Sequence, residues 1–290
     1  MKVLAIDVGG TAIKSALIDR EGHIEDFRER PTPPVISQGI LQAAGDYSGY
    51  AAVGISTAGL VDHKNGVVVF SSDTLGYADN EPLAQEVSTA LGGIPVTVEN
   101  DVNSAALGEA MFGAGRGCRD FVCLTYGTSI GGALYLNGDL YRGSKNMAGE
   151  IGHMATHAFG KPCPCGRMGC YSEYASVSAL VAQAMAVDPK YNNGRVIEAH
   201  LDDPALMAAV RDWANEVGVG LAAVIHMFDP PRVILGGGVM SSPVFVDLIR
   251  ETLQEHIIPS YSGVEIRGAE TGNRAGLLGA AALALQEAAK

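Results

Sequence analysis

The chain has 290 residues, 47% of them hydrophobic and 37 of them glycine, enough for a large buried core and typical of a compact α/β protein. Its 20 Lys and Arg against 32 Asp and Glu leave a net charge of −12, which argues against duplex nucleic acid or an anionic membrane as the main partner. Asp7 breaks the N-terminal apolar run before it reaches the length of a signal sequence, and no apolar run is long enough to span a membrane. The expected setting is therefore the cytoplasm, where thiols stay reduced.

The first predicted element is a strand at Val3 to Ile6, which enters Asp7-Val8-Gly9-Gly10-Thr11 and returns along the alternating residues Ile13 to Ile18 to a turn at Asp19 to Gly22. A strand at Ala52 to Ser56, a hairpin-like stretch around Asn65-Gly66, a helix near Pro82 to Leu91 and a buried strand at Val96 to Val98 follow. Glu99-Asn100-Asp101 comes next, then a helix of small residues from Val102 to Phe112. Phe121 to Gly132 repeats the opening design, a strand and then a glycine turn at Gly127-Thr128-Ser129-Ile130-Gly131-Gly132, and continues through Ala133 to Leu136 and an Asn137-Gly138 turn. Two hairpins of one design suggest a duplicated architecture with a cleft between the halves. The expected lobes are residues 1–116 and 117–290, with the last helix returning to the first. In the second half, Ser176 to Val187 and Pro204 to Phe228 carry helical periodicity. Arg232 to Leu235 is a strand running into Gly236-Gly237-Gly238, and Gly272 to Glu287 closes the chain as a helix.

One segment is unusually rich in metal-binding groups. His153, Cys163, Cys165 and Cys170 read as H-x9-C-x-C-x4-C, the donor set of a tetrahedral His/Cys3 zinc site, with Gly166 and Gly169 bracketing the last bend. A disulfide between thiols this close in sequence would be strained. His157 is a spare candidate ligand, and Cys118 and Cys123 read as ordinary thiols. Four protein ligands close the shell, so the zinc is expected to be structural and the chemistry to lie elsewhere.

Backbone N–H groups at Gly9, Gly10 and Thr11 suit the negative charge of a phosphoryl group in transfer, and Asp7 suits Mg²⁺, directly or through water. A plain hairpin turn with an acidic residue is the alternative. Lys14 could add positive charge to a phosphate path or be a surface lysine. Asp101 follows a buried strand and opens a helix, a position equally suited to a general base and to an N-cap.

Together these pieces resemble the ROK family of bacterial sugar kinases. The resemblance rests on Asp7-x-Gly9-Gly10-Thr11, Glu99-Asn100-Asp101, Glu150-x-Gly152-His153 with the Cys-x-Cys-Gly-x-x-Gly-Cys-x-Glu segment, and Ala275 to Ala280. It implies an α/β, actin-like (ribonuclease H-like), two-lobed fold with a duplicated hairpin core and an interlobe cleft. It also implies ATP and Mg²⁺ as cofactors beside structural Zn²⁺, a small sugar as partner and a homodimer. Asp101 becomes the expected base, with Asn100 beside it. Glu150, His153 and Glu173 become sugar ligands, with Gly59 letting the backbone approach the sugar and His153 serving zinc and sugar with its two ring nitrogens. Gly127, Thr128 and Gly131 are expected at the phosphates, and Gly236, Gly237 and Gly238 under adenosine. Ser129 departs from the glycine expected at its position, at no cost if its φ is negative. The expected reaction is phosphorylation of the 6-hydroxyl of a hexose, glucose first, then N-acetylmannosamine, toward which Ser56-Thr57-Ala58-Gly59 leans, then a β-glucoside. A sugar-responsive repressor is the reading from a different class, disfavoured by acidity and by a start directly at the phosphate-binding strand.

Overall fold

A computed structural model describes residues 1–71 and 75–290. The chain divides into two compact units, one of Met1–Cys118, Leu134–Ala148 and Asn273–Lys290, the other of Arg119–Ala133 and Gly149–Gly272. No described helix is long and apolar enough to cross a membrane.

The first unit opens with β1 (Lys2–Val8), β2 (Ala12–Asp19) and β3 (Ile24–Pro31), followed by α1 (Ile36–Ala44), β4 (Val53–Thr57) and the short pair β5 (Leu60–Asp62) and β6 (Val67–Phe70). Then come α2 (Leu83–Ala90), β7 (Val96–Asn100) and α3 (Asp101–Phe112). The strands form a sheet in the order β3-β2-β1-β4-β7, with β1 antiparallel to β2 and parallel to β4, and β4 parallel to β7. Parallel strands buried on both faces read as continuous apolar runs, which is how Val53 to Ile55 and Val3 to Ile6 could be found by eye. β3 escaped that reading because Ile24–Pro31 is mostly charged and exposed, an edge strand with no apolar alternation.

The second unit begins with β8 (Phe121–Tyr126) and the first residues of β9 (Ile130–Leu136); the end of β9 and its partner β10 (Asp139–Leu140) fall within Leu134–Ala148 of the first unit. The second unit continues with α4 (Ser172–Ala175), α5 (Val177–Val187), α6 (Gly194–Glu198), α7 (Pro204–Phe228), β11 (Arg232–Gly236), α8 (Pro243–Leu253) and β12 (Glu265–Gly268). The strand order is β10-β9-β8-β11-β12, with β11 parallel to both neighbours. α7 starts where the sequence says it should: Asp203 accepts from the N–H groups of Ala205 and Leu206, and Pro204 occupies the first turn. Trp213 on α7 is fully buried, donates to the carbonyls of Ala175 and Ser176, and packs edge-on against Phe245 of α8.

The closing helix α9 (Ala275–Glu287) belongs to the first unit and accounts for two runs of small residues. A Cβ at Gly279 would collide with the carbonyl oxygen of Ser104 on α3, and one at Gly108 would sit 2.7 Å from that of Ala275. Gly54 of β4 meets the Ala280 carbonyl in the same way. Backbones this close exclude side chains at the contact, so α3 and α9 meet through Ser104, Gly108 and Gly279, and the start of α3 is rigidly held.

Candidate active site and metal centre

In the first unit, the end of β1, the head of α3 and the start of α9 converge on Asp7. The Ser56 hydroxyl donates to Asp7 Oδ1 at 2.8 Å, and a Cβ at Gly276 would lie 2.5 Å from the same oxygen. Burial raises the Asp7 pKa, opposed by the Ser56 bond and the charge of Lys14. Lys14 pairs across the hairpin with Asp7, and its Nζ donates to the Asn273 carbonyl at 3.4 Å. In the turn itself the Gly9 N–H is already committed to the Ala12 carbonyl at 2.9 Å, and Thr32 Oγ1 donates to the Gly9 carbonyl at 2.6 Å. The N–H groups of Gly10 and Thr11 have no backbone acceptor among the described residues, and a Cβ at Gly10 would meet nothing within 4 Å. The turn therefore offers two open donors where the sequence suggested three.

Asp101 is the first residue of α3, and the N-cap is Asn100, whose Oδ1 accepts from Val102 and Asn103 N–H at 2.9 and 3.2 Å. The capping role considered for Asp101 falls one residue earlier. The Asp101 carboxylate accepts from Val102 N–H at 3.0 Å, with its own N–H and the Asn100 side chain as further partners. Burial pushes its pKa up to about 6, with the charge of Asp7 adding in the same direction. Asn100 also donates from Nδ2 to the Gly59 carbonyl at 3.0 Å, tying the tripeptide to a glycine at φ +114° whose Cβ would lie 2.6 Å from the Phe70 carbonyl. Gly59 is thus demanded by its own turn.

Sequence reasoning missed what stands behind this pair. Glu99 is 1% exposed and accepts from Asn100 N–H, Asn103 Nδ2 and Arg142 Nε at 3.0, 3.0 and 2.7 Å, with His63 Nδ1 3.6 Å away. A buried carboxylate with a guanidinium partner fixes the backbone on which Asp101 sits. Its position in the tripeptide was a signal, but no local pattern points to Arg142.

In the second unit, the Gly127 N–H is committed to the Ser129 carbonyl and its carbonyl accepts from Val177 N–H, at 2.9 and 3.0 Å. Thr128 lies on this turn, whereas Gly131 is the second residue of β9; Ser129 lies outside the left-handed region, so its side chain adds no backbone strain. At the end of β11, only Gly237 is sterically required: it has φ +104°, and a Cβ there would collide with the Tyr126 carbonyl. Gly236 and Gly238 have room. This contact seats the glycine run of β11 against the strand that leads into Gly127.

The metal centre assembles as its spacing implied. His153, Cys163, Cys165 and Cys170 bring four donor atoms within 4.8 Å of one another, with His153 Nδ1 to Cys163 Sγ and Cys165 Sγ to Cys170 Sγ both 3.7 Å. Zn–S bonds of about 2.3 Å put tetrahedral sulfurs about 3.8 Å apart, so these residues fit a zinc ion. His157 is not among them: it stacks on Tyr174 at 3.8 Å and faces Glu216 with Nε2 at 3.6 Å. The second histidine nitrogen, His153 Nε2, points to Glu150 Oε2 at 4.0 Å, and both side chains are substantially exposed. Glu173 sits three residues past Cys170, its N–H bonded to the Cys170 carbonyl at 3.0 Å. Glu150, His153 and Glu173 are thereby grouped around the metal-ligand segment. Cys123 is buried and Cys118 partly so, both outside the cluster.

An α/β chain with two five-stranded sheets, each opened by a hairpin with a glycine turn, defines the class: the actin-like fold of sugar kinases. The profile of the ROK family matches residues 3–287, and the chain belongs to that family. It is 34% identical to a glucokinase of Streptomyces coelicolor over 97% of this chain and 96% of the other. Among solved structures, a ROK family glucokinase from Streptomyces griseus in complex with glucose and AMPPNP shares 35% identity at a TM-score of 0.85, covering 99% of this chain and all of that one. A putative N-acetylmannosamine kinase from Listeria monocytogenes shares 29% identity at a TM-score of 0.87, covering 99% of each chain.

Proposed function

We propose that the protein transfers the γ-phosphoryl group of ATP to the 6-hydroxyl of a hexose, with glucose as the leading substrate and N-acetylmannosamine as the alternative. The observation that carries this is Asp101: a carboxylate at the head of a rigid helix, its pKa raised to about 6, with its backbone fixed from behind by Glu99. A sugar hydroxyl is a poor nucleophile until its proton is accepted, and a base of that pKa is ionised yet still basic near neutrality. Asp101 takes the hydroxyl proton as the O–P bond to the sugar forms, the bond from Pγ to the β-phosphate oxygen breaks, and ADP leaves.

Asp7 is a hard oxygen donor whose burial favours a cation partner, and it would hold Mg²⁺ directly or through water. When bound, Mg²⁺ neutralises charge on the β- and γ-phosphate oxygens. The open N–H groups of Gly10 and Thr11 suit phosphate oxygens, Lys14 adds a positive charge nearby, and Gly127 and Thr128 of the second turn, with Gly131 on β9, serve the remaining phosphates. Gly236, Gly237 and Gly238 would lie under adenosine. Gly59 and Asn100 frame the reacting hydroxyl, while Glu150, His153 and Glu173 supply acceptors and donors to ring hydroxyls. Zinc at His153, Cys163, Cys165 and Cys170 would fix the tautomer and orientation of His153 without entering the phosphoryl transfer. The similarity to glucokinases favours glucose, and Ser56-Thr57-Ala58-Gly59 favours the acylated hexosamine.

The test is sugar-stimulated ADP release with Mg-ATP across glucose, N-acetylmannosamine, N-acetylglucosamine, mannose, fructose and a β-glucoside. A site whose hydrogen-bonding groups are covered by the bound sugar rejects sugars that leave them unpaired, so one of the first two sugars should lead by kcat/KM. Equal rates across the panel would overturn the pocket assignment. Sugar binding without ADP release would favour a sensor.

A further inference from the structure

The turn Gly127 to Gly132 is fastened from one side by side-chain hydroxyls, and one of them stands where a family member is expected to have glycine. Ser129 Oγ donates to Ser172 Oγ at 2.9 Å, and Ser172 Oγ also accepts from Ile130 N–H at 3.0 Å. Ser172 is 4% exposed and its bond from Ile130 N–H is buried, while Ser129 lies at the surface and its bond to Ser172 is half-buried. Next to them, Tyr126 and Tyr171 share a hydroxyl contact of 3.0 Å, and Tyr171 donates to the Val217 carbonyl at 2.9 Å. A Cβ at Gly220 on α7 would collide with the Tyr171 ring, which pins that ring in place. Tyr171-Ser172 lies between Cys170 and Glu173, so the strand end and the turn are both tied to the segment that carries a metal ligand and a candidate sugar ligand.

We propose that Ser129 and Ser172 are a positioning pair for nucleotide: together they hold the Gly127–Gly132 turn in the conformation that receives phosphate. The inference rests on the kinase reading above and deepens it by naming what this chain uses in place of a glycine. With glycine at position 129 the backbone bonds of Gly127 would remain, but the Ser172 hydroxyl would hold the turn through Ile130 N–H alone. A hydroxyl there adds a second bond and removes backbone freedom, so less ordering is left for the ligand to drive.

The experiment measures nucleotide affinity by calorimetry with Mg-ATP in the absence of sugar, and sugar affinity in the absence of nucleotide, on the full-length zinc-loaded protein. Ser129→Ala and Ser129→Gly should each weaken Mg-ATP binding by roughly 3- to 10-fold, the range set by one net hydrogen bond. Sugar affinity should stay within about twofold, and Ser129→Thr should restore nucleotide binding. In a double-mutant cycle, Ser129→Ala combined with Ser172→Ala should bind Mg-ATP no more weakly than Ser172→Ala alone, because the first hydroxyl acts through the second. Nucleotide affinity unchanged in both Ser129 variants, or sugar and nucleotide affinities falling together, would overturn the pair while leaving the kinase reading intact. Wild-type protein that binds no Mg-ATP would overturn both.

Discussion

The two glycine turns repeat one backbone device on opposite chemical supports. The turn at Gly9 to Thr11 stands beside carboxylates, with Asp7 at its entrance and Asp101 near enough for the Asp7 charge to add to the burial that raises the Asp101 pKa. The turn at Gly127 to Gly132 is backed by neutral hydroxyls, those of Ser129 and Ser172, with Tyr126 and Tyr171 behind. The strand and the turn repeat, whereas the side chains around each differ. The first turn should respond to pH and to cations, whereas the second should respond to neither and answer only to hydroxyl deletion or to loss of the metal-ligand segment.

The largest expected effect lies at the first turn. Asp101→Asn keeps the size of the side chain but removes the proton acceptor, so turnover should fall by at least about 10²-fold with little change in ATP affinity. Steady-state kinetics with both substrates varied decides this, and near-normal turnover would move the base elsewhere. The second turn is reached through the metal. Metal analysis should find about one zinc per chain, and Cys165→Ser should lower the thermal midpoint by on the order of 10 °C, since the ligand segment between Gly149 and Cys170 has little regular structure of its own. A zinc-free protein of unchanged stability would break the assignment of those four residues.

What could be read from the sequence follows the same division. Glycine turns, the zinc spacing and the helix at Pro204 were legible because each depends on local chemistry: a backbone conformation, a donor set or a cap. The fastening behind each turn was not. Arg142 reaches Glu99 across 43 residues of chain, and Ser172 reaches Ser129 across the same separation. Nothing in a local window marks either partner. The cap of α3 is Asn100, one residue before the position the sequence offered for it, because its amide oxygen reaches two N–H groups in the first turn of the helix. α8 went unread because its Ser242-Pro243 start resembles a loop, although proline is at home in a first turn.

A smaller effect separates the turns by pH. If Asp101 is the base, kcat/KM should fall about tenfold per pH unit below pH about 6, the value to which burial and Asp7 raise it. Asp101→Asn should flatten that limb, and the Ser129 variants should leave it where it is. A limb that persists unchanged in Asp101→Asn would point to another titrating group.

The smallest prediction concerns stability and has a definite sign. The folded-state pKa of Asp101 lies above its ordinary value of 3.8, so between pH 4 and 6 the native protein holds a proton that the unfolded chain has lost. Stability contributed by that group is therefore present at low pH and is lost as pH rises through the window. Asp7, raised in the same direction, works with it. Asn at position 101 carries no charge to bury, so the variant should gain on the wild type from pH 4 to pH 7, by up to about 2 kcal/mol once the partial exposure of the Asp101 side chain is discounted. Urea unfolding of both proteins at the two pH values measures the difference directly. A variant whose stability tracks the wild type at both would mean that the Asp101 carboxylate is better solvated than its place at the head of α3 implies. Because any raised pKa, whether from burial or from the charge of Asp7, produces the same linkage, the Asp101 carboxyl would then titrate near its ordinary value and the pH limb of kcat/KM would have to come from another group.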